Sequence, residues 1–194
     1  MLEEEILPHA LGPADLGDRV VEVGPGAGFT TEVLRRSADH VTAVELDPEL
    51  AAGLRRRLAD PGVTVVEADG RRTGLPAATF SGAASFNMLH HVPTDDDQDQ
   101  IFGELQRVLR PGGRLVMMDG IALDEVRAFH EDDVYHPIDP DGLAGRLGRL
   151  GFTDVRVEPV EARWYCWARV PDGGKVAGTG PGQAGGAGGP ARGK

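Results

Sequence analysis

A glycine-rich turn directly after a short apolar run constrains the fold of this chain more than any other feature. The apolar run 19–23 predicts a buried strand, and the segment 30–37 beyond the turn predicts a helix. Between them lie Gly24, Gly26 and Gly28. A strand, a glycine-rich turn and a helix in this order form the usual ligand site of an open α/β sheet, because bare backbone can approach a ligand closely. We therefore expect a ligand at this turn.

Strand-like and helix-like segments alternate along the remainder of the chain. Apolar runs predict strands over 19–23, 41–46, 63–67, 79–86 and 114–118. Amphipathic patterns predict helices over 30–37, after Asp47-Pro48, over 97–109 and after Asp139-Pro140. The closing strands 155–160 and 163–170 have so short a connection that they must be antiparallel. This order predicts an α/β fold with a mostly parallel sheet, helices on both faces and an antiparallel C-terminal hairpin strand.

Asp-Pro pairs predict where two of these helices begin, since an N-cap aspartate accepts backbone hydrogen bonds and proline suits the first helical position. After the pair Asp47-Pro48, three leucines fall on one face of the predicted helix, at Leu50, Leu54 and Leu58. Such a stripe is typical of the side of a helix that faces the core.

The charge balance narrows the class of partner. Lysine and arginine number 20 against 31 aspartate and glutamate residues, a net charge of −11. So acidic a surface repels nucleic-acid phosphates and anionic lipids, and we expect no nucleic-acid partner. No apolar run approaches the ~20 residues of a membrane span, and the acidic N-terminus is unlike a signal peptide. We therefore expect a cytoplasmic protein.

Composition divides the chain into a body and a tail. Ten of the 28 glycines lie in the segment 171–194, which has no apolar periodicity. We expect one domain over residues 1–170, followed by a flexible tail rich in glycine, alanine and proline over 171–194. Cys166 is the only cysteine, so no intrachain disulfide can form.

The spacing of the turn separates two kinds of ligand. A dinucleotide turn needs glycine or alanine three residues after its second glycine. In this chain the second glycine is Gly26, and the residue three positions later is Phe29, directly after Gly28. Glu22 precedes the first glycine, and a carboxylate there would repel a pyrophosphate but suits a ligand with a cationic ammonium or sulfonium. These two residues oppose a nicotinamide-dependent dehydrogenase and favour an adenosyl ligand with a positive charge.

The segment 20–28, with the letters VVEVGPGAG, resembles the first motif of class I S-adenosylmethionine-dependent methyltransferases. Further segments match in order. They are 44–47 (VELD), 67–70 (EADG), 85–92 (SFNMLHHV) and 108–115 (VLRPGGRL). The last two resemble the ubiquinone/menaquinone-biosynthesis group, called methyltransferase type 11. The resemblance implies a Rossmann-like seven-stranded sheet, with S-adenosylmethionine as cofactor and S-adenosylhomocysteine as product.

The resemblance also implies roles for single residues. Glu22 would orient the methionine ammonium, Glu45 would accept from both ribose hydroxyls, and Asp69 would accept from the adenine amino group. The implied cofactor-binding set is Glu22, Gly24, Pro25, Gly26, Gly28, Glu45, Leu46, Asp69, Gly70, Phe86, Asn87 and Met88.

The implied reaction is methyl transfer to a small-molecule acceptor, which needs alignment above all. A base matters only where the acceptor must first lose a proton. His91 and, second to it, His90 are the candidates, and the alternative role of His91 is to shape the pocket. The acidic cluster His130, Glu131, Asp132, Asp133 and His136 has no zinc-site spacing, so we expect a pocket rim and no metal. Within that region, Tyr135 and His136 are candidates for contacting the acceptor.

Two departures from the family pattern keep a second hypothesis open. The family commonly opens its fourth strand with Phe-Asp, where this chain has Phe80-Ser81-Gly82. The segment before the first strand is about 18 residues long. Members of the family often build a substrate lid from a longer segment at this place. The acceptor pocket could therefore be open, or completed by a partner subunit, as in a homodimer. The second hypothesis is a non-catalytic, S-adenosylmethionine-binding regulatory or scaffold subunit.

Overall fold

The computed structural model describes residues 6–122 and 134–173, and all structural statements concern those residues. They form one sheet with the strands β1 (Arg19–Val23), β2 (His40–Glu45), β3 (Val63–Glu67), β4 (Phe80–Phe86), β5 (Leu109–Gly120), β6 (Thr153–Val160) and β7 (Arg163–Arg169). The helices are α1 (Leu7–Leu11), α2 (Phe29–Arg35), α3 (Pro48–Arg57), a 3₁₀ helix (Leu89–His91), α4 (Asp95–Val108) and α5 (Pro140–Arg149).

The strand order in space is β3-β2-β1-β4-β5-β7-β6. Strands β1 to β5 pair in parallel, and β7 is antiparallel to both β5 and β6. The predicted fold class is therefore confirmed. Because β1 lies between β2 and β4, the direction of strand addition reverses at β1, and a crevice opens there at the carboxyl ends of the strands.

Successive residues of a strand point to opposite faces of the sheet. Because β1 carries apolar side chains on both faces, helices cover both faces. On one face, Val21 of β1 belongs to a buried cluster with Phe102 of α4 and Leu147 of α5. On the other face, the neighbouring Val20 belongs to a cluster with Leu7 of α1 and Leu34 of α2. Two apolar layers thus hold β1, and with it the glycine-rich turn, at the centre of the molecule.

Both predicted helix caps are confirmed. The Asp47 carboxylate accepts from the amides of Glu49 and Leu50 at 2.7 and 2.9 Å, and Asp139 accepts from the amide of Asp141 at 3.0 Å. These bonds satisfy amides that have no partner inside a helix. The α3 cap also fixes where the chain leaves β2, close to the glycine-rich turn.

The predicted fifth strand over 114–118 is too short, because β5 runs from Leu109 to Gly120. Leu109 pairs with Phe80, the register then shifts, and Arg114 pairs with Gly82. Gly112, with φ of +77°, adopts the left-handed conformation that this irregularity requires. The extra residues of β5 between Leu109 and Arg114 form a bulge, and the strand continues on both sides of it.

The predicted tail lies outside the described residues from residue 174 onward. Residues 171–173 are described, and Asp172 pairs with Arg169 of β7 at 2.7 Å. Among the described residues, no helix is both long and apolar enough to cross a membrane.

Gly82 in β4 is buried beneath the chain that enters β1. A methyl group at its Cα would lie 2.5 Å from the Leu16 carbonyl oxygen, which is too close for any neighbour to tolerate. We expect Gly82→Ala to lower the free energy of unfolding by about 1–3 kcal/mol through overpacking, as measured by urea denaturation.

Gly148→Ala is the matched control, because a methyl group there meets nothing within 4 Å on helix α5. Alanine is the better helix former, so this variant should unfold at equal or higher urea concentration. A Gly82→Ala protein as stable as wild type would contradict this account of β4.

Candidate functional site

A cavity of about 430 Å³ opens at the carboxyl ends of β1 to β4. This volume falls in the range of small-molecule sites. Its wall brings together eight of the twelve predicted cofactor-binding residues and the candidate base His91. The eight are Gly24, Gly26, Glu45, Leu46, Asp69, Gly70, Asn87 and Met88. The remaining four, Glu22, Pro25, Gly28 and Phe86, are not part of the wall, and the binding roles of all twelve stay predictions.

The three glycines of the turn serve different purposes. Gly24, Gly26 and Gly28 all have positive φ, at +72°, +52° and +82°. A methyl group on Gly24 would lie 2.1 Å from Met88, and one on Gly28 would lie 2.4 Å from Leu54, so both glycines allow close packing. At Gly26 a methyl group would meet nothing within 4 Å, although this residue lines the cavity. Gly26 therefore leaves room for a ligand against bare backbone.

Glu45, the last residue of β2, is buried and joins the end of β2 to the turn. One of its carboxylate oxygens accepts from the Gly26 amide at 3.0 Å, and the other accepts from the Asp47 amide at 3.0 Å. Each oxygen has a second lone pair that can accept a further hydrogen bond. The carboxylate is thus fixed in position at the cavity wall, with acceptor capacity to spare.

Asp69 lies just after β3 and is held by an arginine that the sequence analysis missed. The Arg71 guanidinium donates to both Asp69 oxygens and reaches Asp97 of α4 at 2.6 Å. These bonds from Arg71 hold the pKa of Asp69 below its usual range, so its carboxylate is ionised and accepts hydrogen bonds at neutral pH. Arg71 also lines the cavity. Its role depends on Asp97, 26 residues away, which no local pattern indicates.

Glu22 is 1% exposed and lies behind the turn. Its carboxylate accepts from the hydroxyls of Thr30 and, at 2.5 Å, Thr31. Burial raises the pKa of Glu22 from 4.5 to about 7, against the opposing effect of the two threonine hydroxyls and with a smaller contribution from Glu45. The predicted partner of Glu22 was a ligand cation, and the two threonines are additional partners that the sequence analysis did not identify.

One side of the cavity is apolar and open. Leu46 is 65% exposed and Leu50 is 45% exposed, and both line the cavity. The expected common burial of Leu50 with Leu54 and Leu58 is wrong, since Leu54 is 2% exposed and Leu50 faces the cavity instead. The helical stripe was correctly identified, but the crevice beside β2 exposes its first member. Exposed leucines on a concave wall suit a flat apolar ligand group.

The 3₁₀ helix after β4 carries His90 and His91, and it meets a carboxylate that the sequence analysis missed. Asp119 of β5 lies 2.5 Å from Nδ1 of His90 and accepts from the His90 amide at 3.0 Å. The ring centroids of His90 and His91 are 4.1 Å apart. Pairing of β4 with β5 brings these residues together across 29 positions of sequence, so only the sheet order could have identified Asp119.

The expected acidic rim is described only in part, since residues 130–133 lie outside the described residues. Tyr135 packs edge-on against His90, with ring centroids 5.9 Å apart. His136 donates from its amide to the His90 carbonyl at 2.7 Å. The described residues hold no group of three or more histidine, cysteine, aspartate or glutamate side chains placed to bind a metal ion.

Comparisons with known proteins agree with this geometry. The family model described as "Methyltransferase domain" matches residues 21–117, which is half of the chain. A 2-methyl-6-phytyl-1,4-hydroquinone methyltransferase of Oryza sativa subsp. japonica is 31% identical over 86% of this chain and 49% of its own length. A ubiquinone biosynthesis O-methyltransferase of Xylella fastidiosa is 36% identical over 55% of this chain and 48% of its own.

A shorter match has higher identity. A ribosomal RNA small subunit methyltransferase A of Bordetella petrii is 51% identical over 34% of this chain and 24% of its own length. The chain thus spans half or less of the length of these relatives. Among solved structures, phosphoethanolamine N-methyltransferase 2 of Haemonchus contortus, in complex with S-adenosyl-L-methionine, superposes with a TM-score of 0.73 and 16% identity. The superposition covers 86% of this chain and 51% of the Haemonchus contortus chain. This likeness confirms the fold.

The raised pKa of Glu22 predicts a pH dependence of stability. Below pH 4.5 this carboxyl is neutral in both the folded and the unfolded chain. Between pH 4.5 and about 7 the unfolded chain ionises first, so the folded state loses stability as pH rises. The loss attributable to Glu22 is about 3 kcal/mol, since one pKa unit corresponds to about 1.4 kcal/mol.

Glu22→Gln isolates this contribution, because glutamine has nearly the same size but does not titrate. Its amide oxygen can accept from one threonine hydroxyl, and its amide nitrogen can donate to the other. Urea denaturation at several pH values should show wild type falling relative to Glu22→Gln between pH 4.5 and 7, with a constant difference above that range. Parallel stability curves for the two proteins would show that the folded state does not raise the Glu22 pKa.

Proposed function

We propose that this chain transfers a methyl group from S-adenosylmethionine to a small molecule, because it belongs to the family of S-adenosylmethionine-dependent methyltransferases. The observation that carries the proposal is the juxtaposition of Gly26 and Glu45 at one cavity wall. Open backbone at Gly26 and a fixed, acceptor-only carboxylate at Glu45 suit a ligand that presents vicinal hydroxyls. Asp69, further along the wall, suits a ligand amino group.

The cavity residues fit the parts of the cofactor in a consistent order. The backbone of Gly24 and Gly26 would lie against the methionine portion, Glu45 would accept from the ribose hydroxyls, and Asp69 would accept from the adenine amino group. The exposed Leu46 and Leu50 would cover the adenine ring, which removes their apolar surface from water. When bound, S-adenosylmethionine supplies an electrophilic methyl group on a sulfonium that leaves as a neutral thioether.

The chain's own contribution to the reaction is alignment. Asn87, Met88 and His91 line the cavity after β4 and would bound the space in which the acceptor meets the methyl group. Holding two reactants in line replaces a bimolecular encounter, which accounts for much of the acceleration such a transfer needs. The names of two relatives, a hydroquinone methyltransferase and a ubiquinone biosynthesis O-methyltransferase, support a small aromatic acceptor.

A cytoplasmic location, a homodimer and the absence of a nucleic-acid acceptor are further parts of the proposal. The net charge of −11 disfavours nucleic acid, although one short match is to a ribosomal RNA methyltransferase.

The second candidate, a non-catalytic S-adenosylmethionine-binding subunit, rests on Ser81 in place of the family's usual aspartate. Ser81 donates to the Arg19 carbonyl and accepts from the Arg19 amide, both at 2.9 Å, and thereby joins β4 to β1. Binding of the cofactor without turnover across an acceptor panel would favour this candidate.

Glu45→Ala should weaken S-adenosylmethionine binding by roughly 1–3 kcal/mol, the loss of a buried acceptor for two hydroxyls. Isothermal titration calorimetry measures the change directly. Glu67→Ala is the matched control, because Glu67 pairs with Glu45 in the sheet register, is exposed and does not line the cavity.

The control variant should bind like wild type. An unchanged affinity in Glu45→Ala would show that Glu45 is misassigned. If wild type itself does not bind S-adenosylmethionine at millimolar concentration, the proposed function is wrong.

A further inference from the structure

Arg71 places a positive charge in the wall of a cavity for which the proposed ligand is itself a cation. Among the described residues that line this cavity, it is the one arginine or lysine. Its side chain is 39% exposed. A guanidinium that turned toward the ligand would repel a sulfonium. The partners of Arg71 therefore decide whether it hinders or helps binding.

Two carboxylates hold the guanidinium of Arg71. Nε and Nη2 donate to Asp69, with the Nη2 bond at 2.6 Å, and Nη1 donates to Asp97 of α4 at 2.6 Å. Asp97 is in turn fixed by Thr94, whose hydroxyl donates to its carboxylate at 2.7 Å and accepts from its amide at 3.1 Å. All three nitrogens of the guanidinium thus donate to carboxylates, which offset its charge.

Arg71 uses most of the acceptor capacity of Asp69. The two oxygens of an ionised carboxylate offer about four lone-pair sites. Three hydrogens of Arg71 occupy them: the amide hydrogen at an N–O distance of 2.8 Å, the Nε hydrogen shared between both oxygens, and one from Nη2. About one site is left, on a side chain that lines the cavity and is 34% exposed. One hydrogen of a ligand amino group would fill it.

The loop that carries Asp69 and Arg71 is packed closely against the core. A methyl group on Gly70 would lie 2.6 Å from Val23 of β1 and 3.7 Å from Ile101 of α4. The absence of a side chain at Gly70 allows the loop to approach both elements. Because the backbone is fixed in this way, the direction of the Asp69 carboxylate depends on its side-chain partner, Arg71.

We propose that Arg71 is a positioning residue that fixes Asp69 to accept one amino hydrogen of the ligand, and so selects an amino group over a carbonyl oxygen there. The proposal rests on the proposed function and adds a residue that determines how the adenine end is recognised. A carbonyl oxygen facing the fixed carboxylate would leave two acceptors together with no hydrogen between them, which is unfavourable. Asp97 anchors Arg71, so the start of α4 takes part in this selection.

Two ligands of equal charge test the proposal. S-adenosylhomocysteine has the amino group on its purine ring, and S-inosylhomocysteine has a carbonyl oxygen in its place. Removal of the Arg71 charge affects both ligands equally at long range, so that effect cancels in the ratio of their Kd values. Isothermal titration calorimetry of wild type should give a Kd about 10- to 100-fold lower for the adenosyl ligand, as expected for a hydrogen bond to a charged group.

Arg71→Gln and Arg71→Lys should both lower this ratio to less than about a fifth of its wild-type value, because the Asp69 carboxylate can then turn away. Glutamine removes the guanidinium, and lysine keeps the charge but lacks the planar fork that holds both Asp69 oxygens. Arg72→Gln is the matched control, because Arg72 is exposed and does not line the cavity. This control should keep the wild-type ratio.

A second pair of variants tests the anchor on α4. Asp97→Ala removes the carboxylate that accepts from Nη1 of Arg71, and Asp96→Ala removes its exposed neighbour. Asp97→Ala should lower the ratio at least about twofold, and Asp96→Ala should leave it unchanged. The double variant of Arg71→Gln with Asp97→Ala should have the ratio of Arg71→Gln alone, since both changes act on one contact.

A wild-type ratio near one would overturn the proposal, because Asp69 would then not distinguish the two groups. An unchanged ratio in both Arg71 variants would show a structural contact only, and an unchanged ratio in Arg71→Lys alone would show that charge suffices without positioning. Additive losses in the double variant would show that Asp97 does not act through Arg71. All of these outcomes leave the proposed function intact, whereas a wild type that binds neither ligand would show that the proposed function itself is wrong.

Discussion

The hydrogen bond from the Gly26 amide to Glu45 joins the turn after β1 to the end of β2, and the cavity depends on it. Parallel pairing brings the two strands to the same edge of the sheet, with Val23 opposite Val44. The carboxylate then spans the last gap, with Asp47 as its second donor. The same residue thus closes the crevice wall, orients the start of α3 and offers acceptor atoms to a ligand. Loss of this hydrogen bond would leave the Gly26 backbone and the Glu45 carboxylate without a direct contact.

Two buried carboxyl groups lie close together behind this bond, and burial disfavours the ionised form of one of them. Glu22 is buried near Glu45, and its raised pKa results mainly from desolvation with a smaller effect of Glu45. Two threonine hydroxyls offset part of this cost but not all of it. Local departures from favourable burial are typical of functional sites, because the compensating interaction arrives with the ligand.

The two ends of the cavity are built on different principles. The end that would hold the cofactor depends on backbone amides and strand-terminal carboxylates, which the sheet places directly. The end that would hold the acceptor includes the 3₁₀ helix, which Gln98 of α4 joins to α5. Gln98 is fully buried, donates to the Leu89 carbonyl at 3.1 Å and accepts from Arg146 at 3.0 Å. Arg146 anchors this group by its bond to Asp99 at 2.7 Å. Side-chain networks of this kind can change from one protein to another while the sheet stays the same, so acceptor choice can vary on a constant fold.

The sequence by itself determined the α/β order, the two capped helices and the identity of the strand-end residues that meet at the cavity. These features depend on local periodicity, on Asp-Pro chemistry and on glycine spacing, each of which is encoded within a few residues. Eight of the twelve predicted cofactor-binding residues line the cavity for that reason. Only the tertiary structure decided that Leu50 faces the cavity, that Arg71 bridges Asp69 to Asp97, and that Asp119 meets His90. Each of these depends on burial or on a partner distant in sequence, and both are set by the order in which strands pair, which no local pattern contains.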